Sequence, residues 1–161
     1  MTAVINATVG DVKTVQDAFD RAVEVGSDVY DNNVGAVKAF LVKGDNEMGL
    51  KYVRLMRKGV RVWEKALKDL EKVLVGLYRR ASCPIAAQPN FNRLSSTTVL
   101  NMIGKEFGKL KAFVDDMEPD FDKQYLLDML RFVARLEGMV GSFGEKLDLF
   151  ISQMELVLKE E

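Results

Sequence analysis

Small and apolar residues recur along most of this chain at alternating steps of three and four. From about Gly10 to Lys43 they are Val12, Val15, Phe19, Ala22, Gly26, Val29, Ala36 and Phe40, with Asn33 in the one gap. Such a stripe is one face of a helix, repeating about every 3.5 residues. A second line, Tyr30, Val34, Val37 and Leu41, starts beside Asn32-Asn33-Val34-Gly35. The helix is expected to kink or to turn its buried face there. Gly44-Asp45-Asn46 then predicts a helix C-cap and a tight turn.

The same alternation returns over about 47–81 as Val53, Met56, Val60, Trp63, Leu67, Leu70, Leu74 and Leu77. Residues 82–94 carry Pro84 and Pro89 with Ile85, Phe91 and Leu94. They predict one long connection, ordered against the rest of the chain. A third helix, over about 95–117, is capped by Ser95 or Ser96 and carries Val99, Ile103, Phe107, Leu110, Val114 and Met117. A fourth, over about 120–160 after Pro119, carries Leu126, Met129, Val133, Leu136, Val140, Phe143, Leu147, Phe150, Met154 and Val157.

Four stripes of one period, two of the connections being very short, predict an all-α protein. The expected form is an elongated up-down-up-down four-helix bundle with long heptad-patterned helices. Helices of roughly 33–40 residues would extend on the order of 50–60 Å. Two other architectures meet the same pattern: a bundle whose first helix breaks near Asn33, or an open pair of hairpins completed by a second protomer. The 161 residues, 48% apolar and 29% charged, suit one domain over 1–161.

Candidate chemistry narrows the field. There is no histidine and one cysteine. The usual general base, the serine and cysteine triads and most zinc and haem sites therefore lack their central residue. Di-metal bundles need inward carboxylates with Glu-x-x-His, and these stripes hold no carboxylate. The eight methionines fall mostly on the apolar stripes, as core filling. Cys83, beside Pro84, has no activating partner in sight. No catalytic residue, metal or cofactor is expected, and the chain is not expected to be an enzyme. With no long apolar run and no charged leader at Met1-Thr2-Ala3-Val4-Ile5-Asn6, no membrane partner is expected. The lone cysteine fits an intracellular, reducing compartment.

Charge supplies the candidate site. Residues 45–82 hold ten basic and five acidic groups, and residues 118–161 hold five and ten. Within the basic segment Lys51, Arg54, Lys58, Arg61, Lys65, Lys68, Lys72 and Arg79 recur mostly by three and four. At about 100° per residue, Lys58 and Arg61 lie roughly 150° from Val53 and Met56, so the stripe faces outward. It matches a helix laid along a polyanion or an acidic partner, or else a solvated face laced with pairs such as Glu64–Lys68 and Lys65–Asp69. Gly138, Gly141 and Gly144 are expected on the outer side of the fourth helix, where bare backbone admits close packing by a partner or by the 82–94 loop.

The expected function is a non-enzymatic helical interaction or structural module, a subunit of a larger assembly that acts through these faces. Its partner would be another protein or a second copy. The alternative is a nucleic-acid-binding subunit, such as a viral coat or small ribonucleoprotein component, using the basic face of the second helix. Stacking aromatics are missing from that face, and the net charge is −1, which favours a protein partner.

Overall fold

The computed structural model of the chain describes residues 9–80, 98–115 and 122–155. Among these residues the protein is all-α, with no strand. Helix α1 spans Val9–Val37 and passes into a π-helical turn, Lys38–Val42. Helix α2 spans Asn46–Arg80, α3 spans Thr98–Asp115 and α4 spans Tyr125–Glu155. The 82–94 connection, Ser95, Ser96, Pro119 and the end of the fourth stripe at Val157 lie outside the described residues.

Helix α1 runs unbroken through Asn32–Gly35, and its first stripe stays buried to Ala36 except at the half-buried Phe19. Tyr30, Val34 and Val37 are half-buried and Leu41 is exposed, so the second line flanks the core without replacing the first. The departure from α geometry comes later. The Lys43 N–H donates to the Lys38 carbonyl at 2.9 Å, and Asp45 N–H to Ala39 at 2.8 Å. These rings are wider than α rings, and the extra residue turns both Ala39 and Phe40 inward. Gly44 then takes φ 64°, a left-handed conformation that glycine adopts without strain. Asp45 opens α2, its Oδ1 accepting from the Met48 N–H at 3.0 Å.

Helix α4 begins at Tyr125, five residues later than the Pro119-based expectation. The Asp122 carboxylate accepts from Gln124 N–H, and its carbonyl from Tyr125 N–H, both at 3.0 Å. This aspartate turn holds residues 122–124 out of the helix.

The neighbours close a ring: α1 lies against α2 and α4, α2 against α3, and α3 against α4. Along α1 and α2, Gly26 meets Trp63, Val29 meets Gly59, Gly35 meets Tyr52 and Phe40 meets Gly49. Rising numbers on one helix meet falling numbers on the other, so the pair is antiparallel. One core draws residues from all four helices, including Val15, Val29, Trp63, Leu70, Phe107, Leu110, Leu136 and Phe143. One detail differs from the stripes read along the chain: in α2 Ala66 is buried where Leu67 is half-buried. In α4 Ile151 joins the buried line, and the side chain of Phe150 lies outside the described residues. An α-helix turns every 3.6 residues, so a strict 3.5 repeat drifts off the buried face over several turns.

Aromatic rings seated on glycines draw α1 towards its neighbours. A Cβ added at Gly26 would lie 2.8 Å from Trp63 Cζ2, and one at Gly35 would lie 2.6 Å from Tyr52 Cε1. Gly49 receives the Phe40 ring and Gly144 the Phe19 ring in the same way. Each glycine costs a helix about 1 kcal/mol relative to alanine. Burying an aromatic ring against the bare backbone offsets that loss. Trp63 also meets the Phe107 ring edge-on, with centroids 5.4 Å apart.

Asn33, the polar gap in the first stripe, is fully buried. In the amide orientation that satisfies its hydrogen bonds, the nitrogen donates to the Leu126 carbonyl and the oxygen accepts from Leu130 N–H, each at 3.2 Å. The side chain thus straddles one turn of α4 and ties α1 to it.

Candidate functional site

The face of α2 turned away from Val53, Met56 and Trp63 carries the basic stripe. Lys51, Arg54, Lys58, Arg61, Lys65, Lys68 and Lys72 are all exposed. Over Lys51–Lys72 they cover roughly 32 Å at about 1.5 Å per residue. The side chain of Arg79 lies outside the described residues. Burial of the apolar face sets this orientation, because 100° steps carry the intervening positions to the opposite side.

Only one of these seven cations forms an ion pair among the described residues. Lys68 Nζ lies 3.2 Å from Glu64 Oε1. Glu64 also reaches α3, where Lys111 Nζ sits 3.3 Å from Oε2. Burial works to raise the Glu64 pKa, but the hydrogen bonds from Lys68 and Lys111 outweigh it and hold the carboxyl below its usual value. The expected lacing is therefore partial: Glu64–Lys68 forms, and Lys65–Asp69 makes no contact within ion-pair distance. On the far side of α3, Glu106 Oε1 takes Lys109 at 3.3 Å and Arg135 of α4 at 3.8 Å. Cross-links of this kind join neighbouring helices and, among the described residues, leave the other six cations of the α2 face without an ion pair.

A second charged stripe escaped the reading of the chain. Asp17, Asp20, Glu24, Asp28 and Asp31 recur along α1 by three and four, and all five are exposed. None forms an ion pair among the described residues. Asp31 does act on Glu137 of α4, whose pKa is raised first by burial and then by that neighbouring charge. The signal was present in the sequence. The near-even balance of charge in residues 1–44, four basic and six acidic, hid its arrangement on one face.

The three glycines of α4 do not share one face. Gly138 and Gly141 are exposed, with nothing within 4 Å of an added Cβ. Gly144 is buried beneath Phe19 of α1, contrary to its expected place on the outer side. It lies roughly 70° from the centre of the Leu136–Leu147 seam at 100° per residue, which is close enough for α1 to cover it. Gly138 instead lines an open groove of about 490 Å³ with Met102, Arg135, Met139, Ser142 and Lys146.

Among the described residues no three His, Cys, Asp or Glu side chains converge on a point that would hold a metal ion. No described helix is long and apolar enough to cross a membrane. Trp63 is 1% exposed and Tyr52 half-buried over Gly35, so neither ring lies open on the basic face. Compared with protein-family models, with curated proteins and with solved structures, the chain matches none.

Proposed function

We propose that this protein is a non-enzymatic interaction module, a helical subunit of a larger assembly that docks an acidic protein surface along the outer face of α2. One observation carries the reading: six exposed cations, Lys51, Arg54, Lys58, Arg61, Lys65 and Lys72, line one helix face with no carboxylate in ion-pair reach among the described residues. A row of like charges left uncompensated repels itself, and an acidic partner relieves that repulsion. A protein partner is favoured over nucleic acid because, among the described residues, no ring lies open on this face for bases to stack on. The missing histidine leaves catalysis without its usual base, and the lone cysteine suits a reducing intracellular setting.

The test uses labelled poly-glutamate, single-stranded DNA and duplex RNA in anisotropy titrations at low and moderate salt. Poly-glutamate should bind the native protein, and binding should vanish when Lys58, Arg61, Lys65 and Lys72 are all changed to Glu. The fold should persist, because surface changes away from the core cost little. A tight, salt-sensitive nucleic-acid complex lost in the same variant would replace the acidic partner with a nucleic acid. No binding of any probe would reduce the stripe to a solvated face.

A further inference from the structure

The basic stripe of α2 has a counterpart on the same molecule. Asp17, Asp20, Glu24, Asp28 and Asp31 line the face of α1 opposite its core, as the cations do on α2. The packing pairs Gly26–Trp63, Val29–Gly59 and Gly35–Tyr52 also set the axial register. Residues 17–31 of α1 lie level with roughly 57–71 of α2 at equal rise along antiparallel helices. The acidic stripe thus stands at the height of Lys58, Arg61, Lys65, Lys68 and Lys72. Within one molecule the two stripes point away from each other, around separate helices, and do not meet.

We infer that the acidic partner is a second copy of this chain, docked through the α1/α2 face about a twofold axis parallel to the helices. That operation sets α1 of each copy opposite α2 of the other, antiparallel and at unchanged height. Every carboxylate stripe then meets a lysine and arginine stripe, and the contact is made twice. The face between the stripes suits the same docking. Met48 and Leu55 are each 43% exposed, and Val62 is half-buried. Their seven-residue spacing keeps them on one side of α2, within about 80° of Tyr52 and Gly59, which touch α1. Closing the two copies removes this apolar line from water while the stripes fix register and exclude like-on-like pairing. Ion pairs at such a rim are individually weak, so the association is salt-dependent.

This inference names the partner within the proposed function and rests on that reading. It is tested by the solution mass of the native protein across concentration, in about 20 mM and about 500 mM salt. The expected mass is twice the 18.1 kDa chain at low salt, falling to one chain at high salt. Two charge-reversed variants follow, Lys58, Arg61, Lys65 and Lys72 to Glu, and Asp17, Asp20, Glu24 and Asp28 to Lys, each checked for native helix content. Each alone should be monomeric. An equimolar mixture should regain a one-to-one dimer, since one contact then pairs the two native stripes and the other the two reversed ones. A native protein that stays monomeric at low salt overturns the inference. So does a mixture that stays monomeric while both variants are folded. If poly-glutamate still binds the native monomer, the general reading survives and only the second copy is excluded.

Discussion

Replacing Gly26 with alanine isolates the aromatic-on-glycine packing of α1 on α2. In an exposed helix the change gains about 1 kcal/mol. Here the new Cβ would stand 2.8 Å from Trp63 Cζ2 and 2.9 Å from Cε2, while ordinary contact begins near 3.4 Å. The indole is rigid, 1% exposed and held on another side by Phe107. It has nowhere to retreat except by moving a helix. Overpacking of this kind costs about 1–3 kcal/mol, so the net change is a loss of about 0–2 kcal/mol. Gly141→Ala is the control: it has open space around it and should gain up to about 1 kcal/mol. Chemical denaturation followed by far-UV circular dichroism measures both. For a chain of this size the two melting temperatures should move in opposite directions by about 2–4 °C per kcal/mol. Fluorescence of the single tryptophan should shift in Gly26→Ala alone. Equal stabilisation by the two substitutions would refute the seating of Trp63 on Gly26.

Two further substitutions probe α4 from either side. Glu137→Gln should stabilise the protein at neutral pH, by under about 1 kcal/mol at this partly exposed site. Its raised folded-state pKa means that the wild-type carboxyl supports folding below the usual glutamate range and opposes it as pH rises through the folded value. The gap between variant and wild type should therefore close below about pH 4, and thermal melts at both pH values would show it. Asn33→Asp keeps the size of the side chain but exchanges the donor facing the Leu126 carbonyl for a second acceptor and buries a charge. It should cost about 3 kcal/mol or more at neutral pH and less in acid, where the protonated carboxyl can donate. A urea midpoint within about 0.5 kcal/mol of wild type would remove Asn33 from its place against α4.

The spacing of apolar residues by itself determined the helical class, the burial of Trp63 and Leu136 and the outward set of the lysines and arginines of α2. Each follows from the 100° step along a single helix, and a run of residues reports that step whatever lies nearby. The turn at Gly44 was legible for the same local reason. Tertiary structure alone decided which glycines matter. Gly26 falls on the buried stripe, but the ring that fills its place does not show along the chain; Gly35, Gly49 and Gly144 look like Gly138 and Gly141 there, and differ in whether a ring from another helix arrives. Asn33 read as a flaw in a stripe until Leu126 and Leu130 of α4 stood opposite it. The π-helical turn that buries both Ala39 and Phe40 likewise answers to Gly49 on α2 and to Lys123, whose ammonium lies 4.5 Å from the Phe40 ring centre. The level alignment of the acidic and basic stripes depends on the register between α1 and α2. Periodicity describes one helix at a time, whereas register is a relation between two, set by which side chains of each fill the gaps in the other.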